Sequence, residues 1–127
     1  MKFSCNAFFV YYHPKFNFLC VLMCIFVVYM TSKNYILSLL KEKKADLSAK
    51  GILAVGLFGS YVRGEQTEQS DIDILVDFDP EKETFDNFMA VYELLENLFQ
   101  NTKVEVVTRN GLSPYIGPKI LNEVQYV

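Results

Sequence analysis

The sequence is poor in the residues that many metal sites and nucleic-acid surfaces need. It has one histidine and three cysteines, all four within residues 1–29. Because a zinc site needs several ligands at recognised spacings, these residues do not indicate one. Positive charge is also scarce, since 12 lysines and arginines stand against 15 acids and the net charge is −3. That balance argues against a surface that follows nucleic-acid phosphates.

Long hydrophobic runs are rare as well. The one uninterrupted apolar run of any length is residues 18–30, shorter than the roughly 20 residues that a membrane-spanning helix needs. A secretory signal would need small residues before its cleavage site, and residues 28–30 are bulky. We therefore expect residues 1–29 to be an apolar extension translated from an incorrectly chosen start codon. The alternative is a weak membrane anchor or signal.

The remaining residues, 30–127, differ from the extension in charge and in pattern. Since the extension contains two lysines and no acid, the remainder carries −5. We interpret residues 30–127 as one domain. If residues 1–29 come from an incorrectly chosen start codon, we expect this domain in the cytoplasm. Its length allows one domain and hardly two.

Helix and strand patterns alternate along this domain. Apolar residues at helical spacing predict helices over 33–47, 85–99 and 115–124, the last broken near Gly117-Pro118. Apolar runs or period-two alternation predict strands over 52–58, 71–78 and 103–108. The alternation in the second strand predicts one apolar face, formed by Ile72, Ile74, Val76 and Phe78. Thr84 is a suitable N-cap for the second helix, whose apolar stripe is predicted to comprise Phe85, Phe88, Met89, Tyr92, Leu95 and Phe99. The order predicts a small α/β (α+β) domain with a small mixed β-sheet covered by helices.

Two acids interrupt the second predicted strand. Asp71 and Asp73 are two residues apart, so their Cβ atoms project from one face at about 6–7 Å. Like charges that close are costly unless a cation lies between them, and Mg²⁺ prefers oxygen ligands. Glu105 on the next strand could add a third carboxylate, a combination typical of two-metal phosphoryl or nucleotidyl transfer. By contrast, we interpret Asp77 and Asp79 as ordinary strand-end and turn residues.

A small-residue turn precedes these acids. Gly59-Ser60 follows the first apolar strand, and glycine there lets the backbone approach a phosphate closely. The following turn can present N–H groups and a hydroxyl to phosphate oxygens. Arg63 can meet a phosphate oxygen, although a structural pair with Glu65 or Asp71 is an equal alternative.

Together these residues resemble a known signature. Gly59-Ser60, then Arg63-Gly64, then Ser70-Asp71-x-Asp73, is similar to the motif of the DNA polymerase beta-like nucleotidyltransferase superfamily. Within it, residues 30–127 resemble the minimal nucleotidyltransferases of the MNT or MntA type, whereas residues 1–29 have no counterpart.

This resemblance implies a fold, a site and an activity. It implies a polymerase beta-like fold and a site for two Mg²⁺ ions with Asp71 and Asp73 as metal ligands. Gly59 and Ser60 would hold the triphosphate of ATP. Glu105 falls where the family's third carboxylate, a metal ligand or catalytic base, is usually the shorter aspartate. Members of this group commonly act as antitoxins that transfer AMP to a tyrosine of a HEPN-domain toxin.

Four activities can be weighed against each other on these residues. The leading hypothesis is a Mg²⁺-dependent protein adenylyltransferase that acts on a HEPN-domain partner. The main alternative is a module that neutralises a partner by contact alone. Transfer to a small molecule is disfavoured because no second domain forms an acceptor pocket, and polymerisation because no basic template groove is indicated. A membrane partner is expected only if residues 1–29 are an anchor.

Overall fold

The computed structural model describes Leu22, Met23 and residues 32–127. The chain divides into two compact units, Met1–Ile36 and Leu37–Val127, and the β-sheet lies in the second. Most of the predicted apolar extension lies outside the described residues. In the described part of the chain, no helix is long and apolar enough to cross a membrane.

The first predicted helix is two helices. Helix α1 spans Lys33–Glu42 and α2 spans Lys44–Ala49. Lys43 lies between them with φ −90° and ψ 2°, away from the angles of a regular α-helix. The local sequence contains neither glycine nor proline, so its pattern does not mark the break. Gly51 follows with φ +92°, a left-handed conformation that favours glycine at a helix end.

A four-stranded mixed sheet forms the centre of the second unit. Its strands are β1 (Ile52–Phe58), β2 (Ile72–Phe78), β3 (Val104–Thr108) and β4 (Gln125–Tyr126). The order is β3-β2-β1-β4, with β1 antiparallel to β2 and β4, and β2 parallel to β3. The predicted small mixed sheet is confirmed. The fourth strand was not predicted, because two residues are too few to show a period.

Strand β2 is central and buried on both sides. Its predicted apolar face is confirmed, and Leu75 on the opposite face is buried as well; the buried residues are Ile72, Ile74, Leu75, Val76 and Phe78. The strand begins at Ile72 rather than at the predicted Asp71. Asp71 therefore lies at the entry to the strand, and Asp73 lies within it.

Helices connect the strands. Helix α3 is a single turn, Ser60–Arg63, and α4 spans Phe85–Leu98. The predicted cap of α4 is confirmed, since the Asn87 N–H donates to the Thr84 hydroxyl over 3.2 Å.

The predicted apolar stripe of α4 is partly wrong. Phe85 and Met89 are 76% and 42% exposed, whereas Val91, absent from the prediction, is fully buried beside the correctly predicted Leu95. Because both sides of this helix carry apolar residues, periodicity alone did not identify the side that packs on the protein.

The C-terminal segment differs from its prediction. A 3₁₀ turn, Arg109–Gly111, follows β3, and helix α5 spans Gly117–Glu123. Gly117-Pro118 begins this helix rather than breaking it, because proline fits the first helical turn, where its missing N–H is not needed. The chain then enters β4, which pairs with Gly56 and Leu57 of β1.

Candidate nucleotide and metal site

The sheet brings the predicted site residues to one end of three adjacent strands. Asp73 is paired with Phe58, the last residue of β1, and with Glu105 on parallel β3. Neighbouring strands lie about 4.8 Å apart, so the backbones of these residues are adjacent. Gly59 follows Phe58 directly and is thereby placed beside the Asp73 side chain.

The three carboxylates differ in exposure. Asp73 is half-buried, the Asp71 side chain is 33% exposed, and the Glu105 side chain is 52% exposed. Burial, a hydrogen bond that protonated Asp73 donates to Glu105, and the charges of Glu105 and Asp71 together raise the pKa of Asp73 to about 6. The charge of Arg63 opposes it. The protein therefore concentrates negative charge at Asp73 at an energetic cost.

Lys103 lies at the rim of this group. Its Nζ is 3.7 Å from an Asp71 oxygen and 3.8 Å from a Glu105 oxygen, and its side chain is 69% exposed. Exposed pairs at such distances contribute about 0–1 kcal/mol. Lys103 therefore offsets only part of the repulsion among the acids.

The Gly59 turn is built against Asp73. Gly59 has φ +79° and ψ −151°, a conformation that L-residues rarely adopt. A Cβ at this position would collide with the Asp73 carboxylate. The carbonyl of Gly59 accepts from the N–H groups of Val62 and Arg63 over 3.1 and 3.2 Å, which closes the single turn of α3. Only glycine allows the turn to lie this close to the carboxylate.

Arg63, at the end of α3, has two acidic partners. Its Nε donates to Glu65 over 3.0 Å, and its Nη1 donates to both oxygens of Glu123 over 3.1 and 3.2 Å. The anticipated pair with Glu65 is present, while the described ion pairs of Arg63 do not include Asp71. Glu123 also accepts from the Gly59 N–H over 2.9 Å.

Most of the chain matches a known protein family. The family model for the nucleotidyltransferase domain matches residues 34–127. The chain belongs to this family. Like its relatives, it is a nucleotidyltransferase, an enzyme that acts on a nucleotide substrate.

Individual relatives agree with the family match. The protein adenylyltransferase MntA of Thermococcus cleftensis is 40% identical over 99 residues, which is 77% of this chain and 98% of that protein. A solved structure of a candidate minimal nucleotidyltransferase has a TM-score of 0.58 at 30% identity, covering 70% of this chain and 93% of the other.

A second solved structure supports the fold alone. It is a mutant of the toxin–antitoxin complex MntA–HpeT, and its TM-score is 0.51 at 20% identity. The match covers 73% of this chain and 69% of the other. The predicted nucleotidyltransferase fold is confirmed by the family model and by the structural neighbours together.

The donor chemistry of this nucleotidyltransferase site fits Mg²⁺. All three acids supply oxygen, the ligand atom that Mg²⁺ prefers. A divalent cation would also relieve the repulsion that Asp73 experiences from Glu105 and Asp71. Within the residues that the structure describes, no group of three or more histidine, cysteine, aspartate or glutamate side chains is arranged to hold a metal ion.

The sequence did not identify two residues of this site. Lys103 and Glu123 both contact predicted site residues. Lys103 could have been found, because it lies two residues before Glu105 and therefore shares its strand face. Glu123 lies 64 residues after Gly59, and no local pattern connects the two.

Proposed function

We propose that this nucleotidyltransferase is a Mg²⁺-dependent protein adenylyltransferase that transfers AMP from ATP to a tyrosine of a HEPN-domain toxin. It would thereby act as the antitoxin of the pair. The observation that carries the proposal is the half-buried Asp73 carboxylate, which lies against the Gly59 turn with Glu105 beside it.

The names of similar proteins support the transfer and the partner. A relative that is 40% identical over nearly its whole length is named protein adenylyltransferase MntA. The name MntA also belongs to the toxin–antitoxin complex whose structure shares this fold. A protein toxin is therefore the acceptor class that we propose.

In this proposal the triphosphate lies on the Gly59 turn. The absence of a Cβ at Gly59 lets the turn lie against the Asp73 carboxylate, which places the turn beside the proposed metal ligands, and Ser60 adds a hydroxyl at the start of α3. Arg63 is the cation of this turn, and its planar guanidinium matches the geometry of phosphate oxygens. Gly59, Ser60 and Arg63 are thus the proposed nucleotide-binding residues.

The proposed Mg²⁺ ligands are Asp71, Asp73 and Glu105. When bound, Mg²⁺ neutralises phosphate charge and lowers the pKa of an attacking hydroxyl. Asp73 is fixed on the central strand of the sheet, so its carboxylate has a defined position. Glu105 is exposed, and its side chain is longer than that of an aspartate. Its carboxylate can accept a proton from an incoming hydroxyl.

The transfer itself is a substitution at phosphorus. The tyrosine oxygen forms a bond to the α-phosphorus of ATP, and the bond between that phosphorus and the bridging oxygen of the β-phosphate breaks. AMP remains on the tyrosine, pyrophosphate leaves, and the hydroxyl proton passes to a carboxylate or to water. The carboxylates and the turn have to hold the two reacting oxygens in line.

A labelling experiment tests this proposal. The full chain is expressed with the protein encoded by the neighbouring gene, as the candidate toxin, and incubated with ATP labelled on the α-phosphate and with Mg²⁺. We expect label on a tyrosine of the toxin, lost on addition of EDTA and in the variant carrying Asp71→Asn and Asp73→Asn. Neutralisation of the toxin that is unaffected by the double substitution would instead support the contact-only module.

A further inference from the structure

Glu123 connects the C-terminal helix to the proposed nucleotide turn. One of its oxygens accepts from the Gly59 N–H over 2.9 Å. The same oxygen lies 3.1 Å from Arg63 Nη1, and the second oxygen lies 3.2 Å from it. A single carboxylate thus contacts both the backbone of the turn and its cation.

The two acids that pair with Arg63 differ in their surroundings. The Glu123 side chain is 18% exposed, whereas that of Glu65 is 66% exposed. Both acids form charge-assisted hydrogen bonds with the guanidinium, but Glu123 alone of the two also accepts from the Gly59 N–H. Glu123 therefore connects Arg63 to the turn, and Glu65, which contacts only Arg63 Nε, serves as its matched control.

The backbone around Glu123 is itself held in place. It is the last residue of α5, and after Val124 the chain forms β4, which pairs with β1 at Gly56 and Leu57. A Cβ at Gly56 would lie only 2.6 Å from Val124 Cγ2, so β1 and the chain after α5 approach closely. The carboxylate is thereby presented from a fixed position.

Gly59 consequently lies between two acids, one bound to its N–H group and the other packed against its Cα side. Its N–H points to Glu123, whereas the direction in which a side chain would project faces the Asp73 carboxylate. The acid that binds the N–H is thus distinct from the acid proposed to hold metal. Glu123 can therefore constrain the turn without being one of the proposed metal ligands.

We propose that Glu123 is a positioning residue that fixes the Gly59 turn and the guanidinium of Arg63 for the phosphates of the nucleotide. This inference rests on the proposed role of the turn in binding ATP. Because Glu123 acts through Arg63 and Gly59, its removal weakens nucleotide binding even though it does not contact the nucleotide. The opposite possibility is that the carboxylate occupies a phosphate position and that ATP has to displace it.

Binding measurements on the full chain separate these possibilities. The dissociation constant of ATP is measured by calorimetry with Mg²⁺ present, and the melting temperature is measured without nucleotide. Glu123→Ala removes both contacts and is expected to weaken ATP binding about tenfold. Glu123→Gln keeps an acceptor for Gly59 and is expected to weaken binding about threefold, whereas Glu65→Gln changes it less than about twofold.

A double variant tests whether the effect passes through Arg63. If it does, Glu123→Gln combined with Arg63→Ala binds ATP as weakly as Arg63→Ala alone. A purely structural role would instead multiply the two losses and lower the melting temperature in both backgrounds, which contradicts the proposal. This comparison remains informative if Glu123→Ala does not fold.

The remaining outcomes are also distinct. Unchanged or tighter ATP binding by Glu123→Gln, alongside weaker binding by Arg63→Ala, overturns the positioning role and leaves the proposed nucleotide site intact. If Arg63→Ala and Glu123→Gln both bind ATP as tightly as the natural protein, the proposed role of Arg63 fails, and the inference fails with it.

Discussion

The two halves of the candidate site differ in how closely their acids are paired with a cation. On the carboxylate side, Asp73 adjoins Glu105 and Asp71, and the cation that reaches them, Lys103, is exposed and 3.7 Å or more away. On the turn side, Arg63 already pairs with two acids at 3.0–3.2 Å.

This contrast assigns a different task to each half. The carboxylate side carries excess negative charge, which a divalent cation can neutralise. On the turn side the one cation, Arg63, is already paired with Glu65 and Glu123, so its geometry is set before a nucleotide arrives. Such preorganisation reduces the free-energy cost of ordering groups during binding.

The largest expected effect comes from the central carboxylate. Asp73→Asn removes one proposed metal ligand, and we expect AMP transfer to fall at least about 100-fold, as when other preorganised charged groups are removed from active sites. Initial rates with saturating ATP and Mg²⁺ measure the loss.

Asp77→Asn is the matched control for this change. Asp77 lies on the same strand, but its carboxylate pairs with Arg109 at 3.1 Å. We expect its activity to stay within about twofold of the natural protein, because exposed ion pairs contribute little. Equal losses in the two variants would contradict the assignment of Asp73.

The close approach at the turn predicts the next largest effect. Gly59→Ala places a Cβ against the Asp73 carboxylate and strains a positive φ. We expect a stability loss of about 1–3 kcal/mol and a loss of activity of up to about 100-fold from displaced groups. Denaturant unfolding and initial rates measure the two effects.

Gly64→Ala provides the comparison for backbone strain alone. Gly64 has φ +72°, but a Cβ there has no neighbour within 4 Å. We expect a stability cost of about 1–2 kcal/mol with activity retained. An equal loss of activity in the two glycine variants would show that contact with Asp73 is unimportant.

A smaller effect is expected on the thermal stability of the metal-free protein when Asp73 is replaced. Burial and neighbouring acids raise the pKa of Asp73 from 3.8 to about 6, so its ionisation disfavours the folded state. The stabilisation from its protonated form is complete below pH 3.8 and lost as the pH rises through about 6. In EDTA at pH 7.5, we expect Asp73→Asn to melt a few degrees above the natural protein.

The pH dependence supplies the control for this stability prediction. Near pH 5 the natural Asp73 is largely protonated, so the difference in melting temperature should shrink. Asp77→Asn should show no such dependence on pH. A melting temperature of Asp73→Asn below that of the natural protein at pH 7.5 would refute the view that this carboxylate is electrostatically destabilised.

The smallest effect is expected at the rim. Lys103→Gln removes the positive charge that lies 3.7 Å from Asp71 and 3.8 Å from Glu105. We expect the affinity for Mg²⁺ to rise by at most about fivefold, because the exposed contacts contribute less than about 1 kcal/mol. A titration of Mg²⁺ by calorimetry measures it, and weaker Mg²⁺ binding would show that Lys103 supports the acids.

The sequence predicted those features that depend on local pattern. Alternation along β2 identified its buried face, and the capping residue Thr84 marked the start of α4. The spacing of Asp71 and Asp73 identified the acidic pair, because side chains two residues apart share a strand face.

Features that depend on distant packing could not be predicted. The contact between Glu123 and Gly59 joins residues 64 positions apart, and the pairing of β4 with β1 holds the chain just after Glu123. The exposed side of α4 was misassigned at Phe85 and Met89, since the choice between two apolar faces depends on what the helix packs against.

The central claim is that the acids and the turn together hold a metal–nucleotide complex. Crystals of the full chain grown with Mn²⁺ and a non-hydrolysable ATP analogue test it most directly, because anomalous scattering locates the metal. The account predicts an anomalous peak bound to Asp71 and Asp73, with the triphosphate on the Gly59-Ser60 turn. A nucleotide bound elsewhere, or a metal that contacts neither aspartate, would contradict it.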